Sequence, residues 1–447
     1  MTMTQGITAA FPVLARLHAA ARQDSRLRFN NLLHPITEDM LERAYRALNR
    51  KAATGIDGVD WKSYGVELAP KLKDLCHRLH SNRYRPQPVK RVWVPKDNGQ
   101  QRPIGITALE DKIVQQALVW ILESIYEADF AGFSYGFRPN RSQHGALDAV
   151  YMAITTKKVS WVLDADIQGF FDHINHKWLT KFLEQRISDP RILRLIKLML
   201  TAGVMDQGCK SRTVVGTPQG AVISPLLGNI YLHYALDLWV DQWRHRHARG
   251  EVYVVRYADD SVFCFQYKSD GERFLEALGD RLAEFNLNLN RAKTHLIEFG
   301  RFAEANRAGR GTSKPHTFDF LGFTHICSRR RSDNGFSLLR KTISKRQSRT
   351  LSAIKVMLKK VYHQRPFIVG GRLKAILQGY FNYFAVPGNL TVLDHFRTAV
   401  VRKWIKAMRR RSQKGKYVPW RRYARLIALF IPKARAVHPY PSQRWRV

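Results

Sequence analysis

Two adjacent acids, Asp259 and Asp260, sit in the string Tyr257-Ala258-Asp259-Asp260, between the apolar runs 252–257 and 261–266. A tight hairpin would carry such a pair at a strand tip. Neighbouring carboxylates repel unless a cation neutralises them, and oxygen-only ligands suit Mg2+, which keeps waters and substrate phosphates in its remaining positions; Mn2+ accepts the same ligands. Alone the tetrapeptide is a weak signal, equally readable as an exposed acidic turn. Asp166 strengthens it, because it ends the strand-like run Trp161–Asp166 and precedes Gln168-Gly169-Phe170-Phe171-Asp172. Three acids on two strand ends could hold two divalent ions for phosphoryl transfer, one activating an attacking hydroxyl and the other clamping a triphosphate and its leaving pyrophosphate. Asp164 and Asp172 compete for the third place. Alternation puts Asp164 on the same strand face as Asp166, so spacing does not choose between those two.

The elements that would position these acids lie in a mixed region, roughly 77–323, where short β-like runs alternate with helical ones. Strands are expected at Val89–Pro95, Trp161–Asp166, Val252–Tyr257 and 261–266, and helices at 109–128 and 225–243. Beyond it the pattern changes. Ile343, Leu351, Ile354, Leu358 and Val361 recur at helical spacing, as do Leu373, Ile376, Leu377, Tyr380 and Phe381, with Pro366, Pro387-Gly388 and Pro419 as breakers and a third helix around 393–411. An all-helical basic domain is expected there. Residues 301–315 read as a flexible basic loop and 329–335 as a hinge.

The chain has 447 residues, long enough for two or three packed units, and 45% hydrophobic residues rule out a disordered basic tail as the whole molecule. Its 74 Lys and Arg against 36 acids give a net charge of +38, which points to a polyanionic partner. From residue 334 onward there are 27 Lys or Arg and a single acid, Asp394, so the helical end carries most of the excess. A solvated helical face normally mixes Glu with Lys; here phosphate is the expected counter-charge. Four scattered cysteines, Cys76, Cys209, Cys264 and Cys327, form no Cys-x-x-Cys pair, which argues against a disulfide framework or zinc ribbon. With no membrane-length apolar stretch and no signal peptide, a cytoplasmic protein is expected.

Seven blocks in order now carry a resemblance: RPIGITALEDKIVQQAL at 102–118, SYGFRPNRSQHGAL at 134–147, ADIQGFFDHI at 165–174, GTPQGAVISPLLGNIYL at 216–232, YADD at 257–260, LNLNRAKT at 287–294 and FDFLGF at 318–323. Over nearly its whole length the chain resembles the group II intron-encoded reverse transcriptase/maturases. That resemblance implies an α/β right-hand polymerase (fingers and palm) followed by an all-helical thumb/maturase domain: a template-gripping N-terminal extension at 1–76, fingers and palm at 77–328, and an RNA-binding thumb and maturase domain at 336–447. It implies Asp166, Asp259 and Asp260 as catalytic metal ligands and a structural or supporting part for Asp172. Phe171 would lie against the sugar, where its ring leaves no room for a 2′-hydroxyl. Lys96 and Arg102 would bind the triphosphate, Gln219 would support the incoming nucleotide, and Lys293 would be a cation near the site. Arg138 and Arg141 would touch template backbone. Among Tyr380, Phe381, Tyr383, Trp404 and Trp420 most are expected in the core, with one or two stacking on RNA.

The implied activity is RNA-directed DNA synthesis with Mg2+ or Mn2+, an RNA template, a DNA primer and deoxynucleoside triphosphates, joined to intron RNA binding that assists splicing and mobility. The paired Cys and His ligands of the endonuclease that many relatives carry are missing, so target-site cutting is not expected. Two alternatives stay open: a reverse transcriptase recruited to phage defence or repair, and a splicing-only RNA-binding maturase.

Overall fold

The fold is taken from a computed structural model, which describes residues 11–95, 101–206, 209–211, 215–311, 314–330, 332–411 and 417–444. Among the described residues eleven strands form three sheets. In the first, β1 (Val89–Pro95) pairs antiparallel with β2 (Gln101–Ile106) and parallel with β4 (Val204–Asp206), which pairs with β5 (Cys209–Ser211). The second, central sheet has the order β6-β7-β3-β8, from β3 (Trp161–Asp166), β6 (Val252–Tyr257), β7 (Asp260–Phe265) and β8 (His295–Glu298). All its pairings are antiparallel. The third joins β9 (Phe318–Phe320), β10 (Phe323–Arg329) and β11 (Phe336–Thr342).

The central sheet divides two hydrophobic cores, and strand alternation assigns each side chain to one of them. Leu163 and Ala165 on β3 and Phe263 and Phe265 on β7 join the core built with the N-terminal helices and the helix Leu109–Tyr126. That helix is buried along nearly its whole length, and Glu110 and Asp111 in its first turn suit the positive end of the helix dipole. The helices Pro12–Gln23 and Glu38–Ala47 pack against it. Val162, Val262 and Cys264 face the other way, into a core shared with the C-terminal helices Ser344–Val361, Pro366–Phe384, Leu390–Arg409 and Trp420–Phe430. Asp164, Asp166 and Asp260 have the parity of this second face. They therefore stand where its apolar residues give out.

Three expectations change. Residues 336–342 begin the segment read as helical throughout, yet they form β11, whose buried positions Leu338, Arg340 and Thr342 alternate at period two. The buried arginine hid that period in an apolar count. It is matched by Asp148, whose Oδ1 accepts from Arg340 Nη1 at 2.9 Å. The hinge expected at 329–335 thus falls where the paired strands β10 and β11 are joined, and the loop at 301–315 contains the short helix Ala303–Gly309. The helix expected over 225–243 is real but passes through a π-helical turn, His233–Asp237, between Ser224–Leu232 and Leu238–Arg246. No described helix is long and apolar enough to cross a membrane.

Candidate active site

The β6–β7 hairpin closes with Tyr257 opposite Asp260, leaving Ala258 and Asp259 as its two-residue turn. Ala258 takes the left-handed conformation, φ +57, which costs an alanine energy and needs support from its surroundings. The buried Arg256 beneath the turn provides it, with every guanidinium N–H engaged. Nε and Nη2 donate to the two Asp237 oxygens at 2.7 and 2.5 Å, Nη2 also to Ser134 Oγ at 2.7 Å, and Nη1 to Asn229 Oδ1 at 3.1 Å and the Ala258 carbonyl at 2.9 Å. The π-helical turn contributes Asp237 to this network. A second brace is Gly136, where an added Cβ would lie 2.4 Å from the Ala258 nitrogen. The loop carrying Gly136 is pinned by Asn229 Nδ2 donating to its carbonyl at 2.7 Å.

Across the sheet, β3 and β7 are in register with Asp166 directly opposite Asp260 and Asp164 opposite Val262. Residues so paired have Cα atoms only about 5 Å apart, so Asp166 and the Asp259–Asp260 tip share one small volume. Lys293 Nζ and Asn290 Nδ2 both donate to Asp166 Oδ2 at 2.9 Å, and the Asn290 N–H binds the Asp166 carbonyl at 2.8 Å. Desolvation, with the charges of Asp259 and Asp166 adding to it, raises the Asp260 carboxyl to about 7, although the residue as a whole is exposed and solvent screens part of that effect. Asp164 also rises to about 7, first by burial and then by Asp260 and Asp166. Asp259 is raised first by burial and also by Asp166, against a backbone hydrogen bond at Asp259 and, less, the charges of Arg102 and Arg256. The hydrogen bond to Asp166 leads the causes that hold Lys293 above its ordinary value.

Such a cluster favours any added positive charge. Its donors are all carboxylate oxygens, which fits Mg2+ or Mn2+. Among the described residues no group of three or more His, Cys, Asp or Glu side chains, these acids included, is arranged to hold a metal ion by itself; ions of this kind draw further ligands from substrate phosphates and water.

Around the acids, Arg102 Nε donates to Gln219 Oε1, and Gln219 Nε2 donates to Asp172 Oδ1 at 3.2 Å. Phe171 stacks edge-on against Phe170 with centroids 5.0 Å apart, and its carbonyl accepts the Thr217 N–H at 2.8 Å. Its ring lies over Gly228, where a Cβ would come within 3.0 Å of it. Lys96 lies outside the described residues. Arg138 is a correction: it is buried and spent on Glu127, 3.0 Å away, and on the carbonyls of Ala131 and Ser134, so it is not offered to a template. Arg141 remains at the surface, stacked over the Tyr135 ring at 5.2 Å. Sequence reading missed Asn290, Arg256, Asp237 and Gly136. Asn290 had a signal, standing three residues before Lys293 in the same string; the others belong to contacts between distant segments.

The family model described as reverse transcriptase (RNA-dependent DNA polymerase) matches residues 94–325. The chain belongs to this family, and so to the RNA-directed DNA polymerases with a right-hand polymerase fold. Among curated relatives, protein YkfC of Escherichia coli (strain K12) is 34% identical over 375 residues, which is 76% of this chain and 93% of YkfC. Group II intron-encoded protein LtrA of Lactococcus lactis subsp. cremoris is 41% identical over 222 residues, 49% of this chain and 36% of LtrA. A putative COX1/OXI3 intron 1 protein of Saccharomyces cerevisiae is 30% identical over 225 residues, 50% of this chain and 27% of that protein. Within the family, then, this is a group II intron-type reverse transcriptase/maturase.

Proposed function

We propose that Asp166, Asp259 and Asp260 hold two divalent ions, Mg2+ or Mn2+, at which a DNA primer is extended on an RNA template. The observation that carries this is the β3–β7 register, with Asp166 opposite Asp260 and Asp259 in the adjoining turn. Bound there, the ions would lower the pKa of the primer hydroxyl and neutralise charge on the triphosphate. The chain's own residues do the rest. Arg102, joined by Lys96, binds the triphosphate; Gln219 supports the nucleotide; Phe171 closes the space a 2′-hydroxyl would need. Lys293 and Asn290 fix the Asp166 carboxylate. Residues 77–328 act as fingers and palm, 1–76 grip the template, and 336–447 serve as thumb and maturase domain.

Intron RNA binding, and with it assistance to splicing and mobility, falls to the basic helices. Support comes from an open cavity of about 630 Å3 between Ser344–Val361 and Leu390–Arg409, lined by Lys355, Lys359, Tyr362, Lys403, Lys406 and Arg410. These two helices hold a single acid, Asp394, so the cations face one another without local compensation, and phosphate would relieve them. RNA affinity should then fall steeply with salt; a flat log–log plot would contradict the assignment. Polymerase function is tested by primer extension: purified protein with Mg2+, an RNA template and a DNA primer should make cDNA and should stop with EDTA. Absence of cDNA under those conditions would remove the proposal.

A further inference from the structure

The turn Thr217-Pro218-Gln219-Gly220 is wedged between two elements. Its Thr217 N–H reaches the Phe171 carbonyl at 2.8 Å, and the Gly105 N–H on β2 reaches the Gln219 carbonyl at 2.7 Å. The approach is too close for side chains. A Cβ on Gly216 would lie 2.9 Å from the Asp172 carbonyl oxygen, and one on Gly220, at φ +115, would lie 2.9 Å from the Gly105 carbonyl oxygen. This packing sets one side chain, Gln219, between Asp172 on one flank and Arg102 on the other.

Gln219 Nε2 donates to Asp172 Oδ1 at 3.2 Å, and its Oε1 accepts from Arg102 Nε. A carboxylate can only accept and a guanidinium can only donate, so a single orientation of the amide satisfies both neighbours.

We propose that Asp172 is a positioning residue: by fixing the Gln219 amide with its carbonyl toward Arg102, it anchors Nε and leaves both terminal guanidinium nitrogens for the phosphates of the incoming nucleotide. The inference rests on the reading of Arg102 as a triphosphate-binding cation. Asp172 itself touches neither substrate nor reacting atoms. Replacing its carboxylate by an amide leaves a side chain that can donate as well as accept, so the orientation of Gln219 is no longer imposed. Gln219 can then turn its NH2 toward Arg102, where donor meets donor and the guanidinium loses its anchor.

Steady-state kinetics on an RNA-templated DNA primer test this. Asp172→Asn keeps the size of the side chain and should raise the KM for deoxynucleotides about tenfold, as expected for a charged group losing one oriented hydrogen bond, with a smaller change in kcat and an unchanged melting temperature. Adding Gln219→Glu moves the negative charge by one residue without altering the total. The introduced amide can donate to the introduced carboxylate, which still accepts from Arg102, so the double variant should recover part of the KM rise relative to Asp172→Asn alone, the contact of Gln219 with the nucleotide being lost in it. A bystander Asp172 would give no such rescue. If Arg102→Ala raises KM but Asp172→Asn does not, or if the paired exchange restores nothing, the positioning role is wrong while the triphosphate reading stands. If Arg102→Ala leaves KM unchanged, the triphosphate reading itself fails and takes this inference with it.

Discussion

Asp166 and Asp260 confront each other because β3 and β7 pair in one register, and a slip of one residue would turn either acid to the opposite face. The spacing left Asp164 and Asp166 equal on one face. They differ in surroundings: Lys293 and Asn290 engage Asp166, whereas Asp164 is raised to about 7, first by burial and next by its acidic neighbours. Phe171 belongs to the same scale. Its ring is half-buried against Phe170 and Gly228, a placement that suits a wall as well as a core residue, and only substrate choice separates the two. Phe171→Ala should relax discrimination against ribonucleotides by about tenfold or more, since removing a steric block restores binding rather than chemistry. Incorporation of each nucleotide class opposite the same template base measures it, and an unchanged ratio would show that the ring only packs.

At the scale of elements, the β6–β7 turn depends on parts far away in the chain. Arg256 ties the turn to the π-helical segment through Asp237 and to the Ser134 loop, and Gly136 lets that loop touch the Ala258 backbone. Hydrophobic periodicity could not reveal these contacts, because they are polar, buried and long-range; the same blindness made β11, with its buried Arg340, read as helix. Gly136→Ala would drive a methyl into backbone that cannot step aside. It should destabilise the protein by about 1–3 kcal/mol, the usual cost of overpacking, and slow primer extension more than it weakens primer-template binding. Thermal melts together with extension rates check this, and parent-like extension would mean that the turn tolerates displacement.

Over the whole molecule, the central sheet carries one core on each face, and the acids sit where the second runs out. The charge excess after residue 334 was legible, because cations that so outnumber acids mark a surface suited to a polyanion. How those residues join the rest of the chain was not. Asp148, on the helix Gln143–Thr156, is buried and meets both Arg340 of β11 and Arg444 near the C-terminal end of the described chain. His144, on the same helix, stacks on His438 at 3.6 Å. Burial leads the causes that lower His144 and His233 to about 4 and His325 to about 3. An unfolded histidine titrates near 6.5, so below that pH the unfolded chain gains protons that the fold refuses. The share of stability carried by these histidines is therefore full above about pH 6.5 and lost as pH falls toward 4 and then 3, while Asp164 and Asp260, raised to about 7, add stability over the same fall. Between pH 7 and 4 the melting temperature of His325→Phe, whose ring can keep the stack on Phe318, should gain on that of the parent; identical slopes for parent and variant would remove His325 from that balance.

The chemistry assigned to the three carboxylates is most directly measured by single-turnover extension of a DNA primer on an RNA template, with Asp166→Asn, Asp259→Asn and Asp260→Asn compared with the parent at saturating nucleotide and Mg2+. An ion at such a site supplies several kcal/mol to the transition state, so each variant should lose about a thousandfold or more in rate while binding primer-template as tightly as the parent. Synthesis by any of them within about tenfold of the parent rate would contradict the site, because a true ligand cannot lose its charge so cheaply.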